Sequence, residues 1–289
     1  MRFKKASSLV VLALAFALLR PPWAAADNNV AEQLKAYYLN KVVTLRHFYK
    51  GDHLSFQADG LLVGSAEVGP WAVDSQVLVK GIELRGKSVE IQGRRVCLVF
   101  DEKAKPSRDV LAYLDESKSR DRDILKEYFL NKNVAIEIAL LSENPDAQEV
   151  AAALNAILLK AGESVADVAP DCWRDYFNRI QGRPPAAPQS TEVVYRVKPG
   201  EVTPPRQTFA PEPEFSGEAR ASKFQGIVTV STVVDSSGKA MDIQILSPLG
   251  LGLDEKAVDA VRGWKFEPAT RQGKPVAVKI ALEMDFHLN

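Results

Sequence analysis

Residues 276–288 read VAVKIALEMDFHL, and this stretch decides the fold of the carboxy-terminal part of the chain. Apolar side chains occupy every second position: Val276, Val278, Ile280, Leu282, Met284, Phe286 and Leu288. Most of the alternate positions are charged or polar, namely Lys279, Glu283, Asp285 and His287. Because successive side chains of a strand point to opposite faces of a sheet, this alternation predicts a long, half-buried β-strand.

A β-hairpin is predicted upstream of this strand. Residues 226–234 are rich in valine and threonine, and the sequence DSSG at residues 235–238 supplies a turn. Apolar residues then alternate at Met241, Ile243 and Ile245, as expected for a second strand.

An amphipathic helix is predicted between the hairpin and the last strand. The apolar residues Leu253, Ala257, Val261 and Trp264 recur at helical spacing, and Pro268 follows the end of the pattern. A strand that follows a helical crossover can return beside the first strand, which gives the spatial order two, one, three. The last strand is then an edge strand, and its unpaired backbone N–H and C=O groups are available to pair with an extended peptide.

Length, composition and charge describe an ordinary globular protein of two domains. The chain has 289 residues, of which 46% are hydrophobic and 26% are charged. The 37 basic side chains balance the 37 acidic ones, and no basic block is present, so nucleic acid is not a predicted partner. The three histidines are scattered and no nucleophile or phosphate-loop motif occurs, so we predict no catalytic site, no metal and no cofactor.

The first 26 residues are typical of a secretory signal peptide. Basic residues at positions 2, 4 and 5 precede an apolar run at residues 9–19, and three alanines at 24–26 suit cleavage. Cleavage of this signal peptide predicts that the mature protein is located in the periplasm. The alternative is an uncleaved anchor in the inner membrane facing the periplasm, but the segment between Lys5 and Arg20 spans only about 21 Å as a helix, against a hydrocarbon core of about 30 Å.

Proline content separates two predicted domains. Prolines cluster between Arg183 and Pro213, which predicts an extended linker over residues 182–212 that acts as a spacer. Residues 28–181 are predicted to form an α+β domain with an antiparallel sheet, including a hairpin over 88–100 that turns at Gln92-Gly93. A charged helix over about 108–131, a strand at 134–141 and helices at 146–160 and 173–180 complete it. Residues 213–289 form the second domain, also of class α+β.

The two cysteines, Cys97 and Cys172, allow two interpretations. In an oxidising compartment an even pair can form a disulfide. Two unpaired, buried thiols are the alternative, and the residues alone leave both open.

Six segments in order resemble the TonB carboxy-terminal domain, over about residues 211–289. They are PEFSGEA at 213–219, FQGIV at 224–228, VDSSG at 234–238, SPLGLGLDEKA at 247–257, VRGWKFEPA at 261–269 and GKPV at 273–276. The resemblance covers somewhat over a quarter of the chain, and the Pro-rich segment before it is also TonB-like.

The resemblance implies a protein-binding function and no enzymatic activity. TonB-type domains bind a short peptide of outer-membrane TonB-dependent receptors by adding it to a sheet edge, in energy-coupled transport across the outer membrane. By analogy, the contact residues are Val276, Val278, Lys279, Ile280, Ala281, Leu282, Glu283, Met284 and Asp285. Inner-membrane, proton-driven motor proteins would be partners if the amino-terminal segment is retained. The alternative is a periplasmic scaffold protein that uses this domain for docking without energy transduction.

Overall fold

The computed structural model describes residues 29–100, 108–109, 123, 129, 132–188 and 190–288. The predicted signal peptide, residues 1–26, lies outside this range. Within it, none of the helices has the length and apolar character that crossing a membrane requires. Most of the charged helix predicted at 108–131 is also outside the described residues, and its first two residues form a strand instead.

The amino-terminal part combines a sheet with several helices. Its strands are β1 (Val42–Thr44), β2 (His53–Phe56), β3 (Gln76–Arg85), β4 (Ser88–Arg95), β5 (Leu98–Val99), β6 (Arg108–Asp109) and β7 (Asn133–Ala139). Its α-helices are α1 (Val30–Tyr38), α2 (Trp71–Asp74), α3 (Ala147–Ile157) and α4 (Arg174–Ile180). Short 3-10 helices at Val165–Asp167 and Asp171–Trp173 precede α4.

The amino-terminal sheet is mixed, whereas the sequence predicted an antiparallel one. Its strand order is β1-β3-β4-β7-β2. Three of the four pairings are antiparallel, but β2 runs parallel to β7. Two parallel neighbouring strands need a long connection. Here the chain forms β3 and β4 of the same sheet after β2, and β7 then lies between β4 and β2.

The hairpin predicted to turn at Gln92-Gly93 is wrong, because β4 continues through both residues. The turn lies at residues 86–87, between β3 and β4, where Arg85 pairs with Ser88. Gly93 has a different function: a Cβ atom there would lie 2.4 Å from Val77 Cγ1 and 2.7 Å from Leu78 O. Glycine at this position therefore allows close approach of β3 rather than a reversal of the chain.

The carboxy-terminal part has the predicted order of elements. Its elements are α5 (Gly217–Ser222), β10 (Gly226–Val234), β11 (Ala240–Ser247), α6 (Leu253–Gly263), β12 (Lys265–Glu267), β13 (Ala269–Arg271) and β14 (Lys274–Phe286). The three long strands lie in the order β11-β10-β14, so the predicted order of two, one, three is confirmed. The short α5, β12 and β13 were not predicted.

Local contacts explain the turn and the helix that position β14. The Asp235 carboxylate accepts hydrogen bonds from the backbone N–H groups of Ser237 and Lys239, each at 2.9 Å, which closes the turn between β10 and β11. At the start of α6, the buried Asp254 carboxylate accepts from the backbone N–H groups of Leu249 (2.8 Å) and Gly250 (2.7 Å).

The segment predicted as a spacer carries two short strands that pair with the carboxy-terminal part. β8 (Val194–Arg196) pairs with β14, and β9 (Arg206–Phe209) pairs with β12. Val202, between them, is only 5% exposed. Proline limits hydrogen bonding only at its own position, so the residues between the prolines are free to pair. The segment therefore does not act as a free spacer over these residues.

The amino- and carboxy-terminal parts share one hydrophobic core. A single cluster of buried side chains contains Trp71, Phe100 and Trp173 from the first part together with residues of β10, α6 and β14 from the second. A second cluster lies wholly in the amino-terminal part, between its sheet and helices α1 and α3. The assignment of domains at residues 28–181 and 213–289 stays a prediction, but the two parts are packed against each other.

Candidate functional site

The inner side of β14 is paired with β10 over residues 278–286. Nine residues of β10 face nine residues of β14 in an unbroken antiparallel register, from Gly226 opposite Phe286 to Val234 opposite Val278. Because a strand in a sheet has two sides, any further strand must add to the outer side of β14.

The first part of the outer side is covered by the chain itself. β8 pairs in parallel with β14, placing Val194, Tyr195 and Arg196 opposite residues 277, 278 and 279. Val276 pairs with Ala269 of β13. The prediction that the whole strand is an open edge is therefore wrong at Val276, which β13 covers, and at Val278 and Lys279, which the three-residue strand β8 from the Pro-rich segment covers.

The second part of the outer side is open in the described structure. Beyond Lys279, no described strand or isolated bridge pairs with the outer side of residues 280–286, which we call the open edge. Six of the predicted contact residues lie here: Ile280, Ala281, Leu282, Glu283, Met284 and Asp285. Backbone N–H and C=O groups on such an edge can accept an added strand.

The two faces of the sheet beside the open edge differ in chemistry. Ala281, Glu283 and Asp285 are exposed on one face. On the other face Ile280 and Leu282 are half-buried and Met284 is 3% exposed, because this face packs on the shared core. An added strand would therefore place alternate side chains in a polar and an apolar environment.

Helix α4 covers part of the polar face of the sheet, over β11 and around Lys279 of β14. Its buried Asp175 accepts a hydrogen bond from Lys279 Nζ at 3.4 Å, and its own backbone N–H donates to Gln244 Oε1 at 3.2 Å. Arg179 of the same helix donates to the backbone oxygen of Leu246. These contacts fix α4 across β14 and β11 and leave the face at Ala281–Asp285 uncovered.

An open cleft of about 590 Å³ lies at the end of the open edge. It is lined by Glu212, Pro213, Glu214, Phe215, Arg220, Asp285, His287 and Leu288. Phe215 is one of its lining residues: its ring packs edge-to-face on Phe286 at 5.5 Å, and the Arg220 guanidinium lies 5.4 Å from the Phe215 centroid. The cleft extends the surface that a peptide along β14 would contact.

A buried acidic group joins the amino-terminal part to α6. Glu255 Oε1 accepts hydrogen bonds from the Trp71 backbone N–H (2.9 Å) and from Trp173 Nε1 (3.0 Å). Glu255 is half-buried as a residue, but its Oε2 is enclosed. Burial raises the pKa of Glu255 and also that of the neighbouring Asp254, since both lose hydration.

Neither of the two cysteines forms a disulfide in the structure. Cys97 and Cys172 are both buried thiols, so of the two interpretations the structure has the one without a disulfide. Burial raises the pKa of Cys172 to about 12. Such a thiol is a poor nucleophile and a poor metal ligand at neutral pH. Among the described residues, no three His, Cys, Asp or Glu side chains come close enough together to bind a metal ion.

The sequence did not predict that β8 and α4 lie against β14, or that Glu255 joins α6 to the amino-terminal part. A run of β-branched and aromatic residues, Val193-Val194-Tyr195, was a weak indication of a strand inside the Pro-rich segment. Nothing in the local pattern indicated that α4 would lie on the carboxy-terminal sheet, because that contact joins residues about 70 to 100 positions apart.

Comparison with known proteins places the match in the carboxy-terminal part. The family described as "Gram-negative bacterial TonB protein C-terminal" matches residues 211–288. Protein TonB of Vibrio cholerae is 33% identical over 78 residues, which are 27% of this chain and 32% of that protein. Protein tonB2 of Pseudomonas aeruginosa is 35% identical over 80 residues, which are 27% of this chain and 30% of that protein.

Two further similarities each cover 35% of the chain. Protein TonB of Salmonella typhimurium is 30% identical over 104 residues, which are 35% of this chain and 43% of that protein. The chain thus spans less than half the length of the curated relatives it matches. A solution NMR structure of the Pseudomonas aeruginosa TonB CTD is 23% identical, with a TM-score of 0.26, and the match covers 35% of this chain and 97% of that one.

Proposed function

Because residues 211–288 form a domain of the TonB carboxy-terminal family, we propose that this chain binds outer-membrane TonB-dependent receptors. A short extended peptide of the receptor adds to the sheet as a new strand beside β14. The binding serves energy-coupled transport across the outer membrane, and the protein is a binding protein rather than an enzyme. The observation that carries the proposal is the open edge at residues 280–286.

Backbone pairing supplies most of the affinity in this proposal. Alternate residues of a strand direct their N–H and C=O groups to the same side, so seven residues present three or four pairing positions to a guest. Each hydrogen bond contributes about 0.5–1.5 kcal/mol net, and the peptide loses conformational entropy on binding. A weak, reversible complex is the expected result, as transport requires.

The amino-terminal part supports the site by holding the sheet in place. Helix α4 is tied to β14 through Asp175 and Lys279, and β8 covers the preceding residues of the edge. We propose that these contacts limit the guest to the open edge and the adjoining cleft. The guest then has room for about seven residues of paired strand.

Export to the periplasm is the location that this function requires. We propose that residues 1–26 are removed as a signal peptide and that contact with the inner-membrane motor depends on whether this segment is retained. Amino-terminal sequencing of protein recovered from the periplasm should give a start near Asp27. Recovery of intact Met1 in the membrane fraction would instead indicate the anchored form, which is able to contact the motor.

Calorimetric titration tests the proposal directly. The full mature chain is titrated with a synthetic peptide that has the sequence of the periplasmic amino-terminal segment of a TonB-dependent receptor from the same cell. A peptide of the same composition with prolines at alternate positions is the control, because it cannot pair as a strand. Saturable binding of the first peptide alone is expected, and failure of the receptor peptide to bind would overturn the proposal.

A further inference from the structure

An exposed surface of apolar and basic side chains lies where helix α1 turns into strand β1, at residues 37–42, which we call the α1–β1 corner. Leu39 and Val42 are 42% and 51% exposed there. Between them in the chain, Lys41 packs on the ring of Tyr37, with its Nζ 4.3 Å from the ring centroid. The corner therefore presents two aliphatic side chains beside a lysine that is held on a tyrosine.

Two more lysines lie beside the corner. Lys35 is in the last turn of α1, and its backbone oxygen accepts a hydrogen bond from the N–H of Leu39 at 3.0 Å. Lys80 follows Val79 on β3, and the N–H of Val79 donates to the backbone oxygen of Lys41 at 2.9 Å. Lys35, Lys41 and Lys80 are all exposed, so three positive charges surround the apolar residues of the corner.

These three positive charges are not compensated. Residues 33–51 contain no aspartate or glutamate. Within the part of the chain that the structure describes, none of the three lysines forms an ion pair. By contrast, Arg46 and Lys50 of the same stretch are each paired with a carboxylate. The free charge is thus concentrated at the corner.

This combination of side chains is complementary to the surface of a phospholipid membrane. Apolar side chains can enter the boundary between the headgroups and the acyl chains, while lysines reach anionic headgroups from the same surface. A tyrosine ring with a polar tip suits the same boundary. The loop at residues 57–69 also exposes apolar side chains but contains no lysine or arginine, so its charge does not favour such a partner.

The position of the corner along the chain agrees with a membrane as its partner. The apolar run of the leader ends at residue 19, and the described structure begins at Asn29. The nine residues between them span at most about 30 Å when fully extended. Helix α1 adds about 14 Å. As long as the leader is in the membrane, the corner therefore lies within about 45 Å of the bilayer.

We propose that the α1–β1 corner, together with Lys35 and Lys80, binds the surface of a phospholipid membrane that contains anionic headgroups. Leu39 and Val42 enter the interface, and the three lysines contact the headgroup phosphates. The contact is peripheral, so it holds the mature protein at a membrane after the leader has been removed. This function is additional to receptor binding and does not rest on it, because the corner belongs to the amino-terminal part.

Co-sedimentation with vesicles tests the proposal on the mature chain that begins at Asp27. One set of vesicles contains equal parts of phosphatidylglycerol and phosphatidylcholine, and the other contains phosphatidylcholine alone. Each lysine near an anionic surface strengthens binding about fivefold, so three lysines predict a preference for the anionic vesicles on the order of 100-fold. Salt at about 1 M, where the screening length is about 3 Å, should abolish this preference. Equal binding to both sets, or binding to neither, would overturn the proposal.

Lysine variants test whether the corner carries the binding. Replacement of its three lysines by glutamine should weaken binding to the anionic vesicles on the order of 100-fold. The control replaces three exposed lysines of the carboxy-terminal part, which removes the same net charge: Lys239→Gln, Lys265→Gln and Lys274→Gln. The control should bind as the parent does, and both variants should keep the parental circular dichroism. An equal loss in the two variants would show an effect of net charge alone and would overturn the proposal.

Tryptophan fluorescence tests whether the apolar part of the corner enters the lipid. In Leu39→Trp, emission should shift to the blue when anionic vesicles are added, because the new side chain leaves water. The tryptophans at positions 71, 173 and 264 are each 8% exposed or less and supply a constant background. Leu141→Trp is the control, since Leu141 is 80% exposed elsewhere in the amino-terminal part. A shift in both variants, or in neither, would contradict insertion at the corner.

Membrane contact and receptor binding fail separately in these experiments. The corner variants should bind the receptor peptide with parental affinity, because the corner lies outside the open edge. Failure of the receptor peptide to bind the parent would overturn the proposed function and leave the membrane contact standing. Failure of the vesicles would do the reverse.

Discussion

Glu255 joins the two parts of the chain, and its replacement by alanine is predicted to weaken their contact strongly. Its carboxylate accepts hydrogen bonds from the Trp71 backbone N–H and from Trp173 Nε1. Trp71 is 3% exposed and Trp173 is fully buried, so water does not readily replace the lost acceptor. A buried donor left without a partner costs about 1–3 kcal/mol. Because Glu255→Ala leaves two such donors without an acceptor, we predict that it lowers the free energy of unfolding by about 2–6 kcal/mol.

Glu255→Gln is the matched control because it keeps an acceptor oxygen and removes the titration. Burial raises the folded-state pKa of Glu255 above its ordinary value of about 4.3. The corresponding stability is fully present below about pH 4.3 and is lost as pH rises through the folded-state pKa. Above pH 4.3 the free energy of unfolding of the parent should therefore fall more steeply with pH than that of Glu255→Gln.

Urea denaturation followed by tryptophan fluorescence, at pH 5 and pH 8, measures both effects. The reasoning would be refuted by a cost below about 1 kcal/mol for Glu255→Ala. A pH dependence that is the same in the parent and in Glu255→Gln would refute the second part.

Three further predictions concern the core, the thiols and the packing of the two parts. Trp264 is 8% exposed and its Nε1 donates a hydrogen bond to Pro211 O at 3.0 Å. Trp264→Ala should therefore lower the free energy of unfolding by about 3–5 kcal/mol. A loss below about 1 kcal/mol would contradict its core position. In the absence of reductant, Cys97 and Cys172 should react with iodoacetamide only after the protein is unfolded, because both thiols are buried. If neither cysteine reacts in denaturant, the two sulfurs form a disulfide and the prediction is wrong. Proteolytic cleavage within residues 182–193 should leave fragments that co-elute in gel filtration, because they share one core, and separate elution would contradict this.

The carboxy-terminal fold could be predicted because its signals are local. Strict alternation over 276–288 specifies a strand, and helical spacing from Leu253 to Trp264 specifies a helix, so each element is readable without knowledge of its neighbours. The sheet order then follows from the tight turn between β10 and β11 and the helical crossover that precedes β14.

The extent of the open edge could not be predicted, because it depends on a contact between distant residues. β8 has only three residues and shows no alternation long enough to detect, yet it covers the middle of β14. The turn predicted at Gln92-Gly93 was wrong for a related reason: this pair has turn composition, but Gly93 is required by the close approach of Val77. Glycine composition alone does not distinguish a turn from a tight strand contact.

Proline substitution on β14 tests the central claim most directly. Consecutive residues direct their N–H groups to opposite neighbours, so Ala281→Pro and Leu282→Pro remove donors on opposite sides of the strand. One variant loses a bond to β10, and the other loses a donor on the open edge. We predict that the second variant keeps the circular dichroism of the parent and loses calorimetric binding of the receptor peptide. Parental affinity in the variant that keeps the fold would contradict strand addition at this edge.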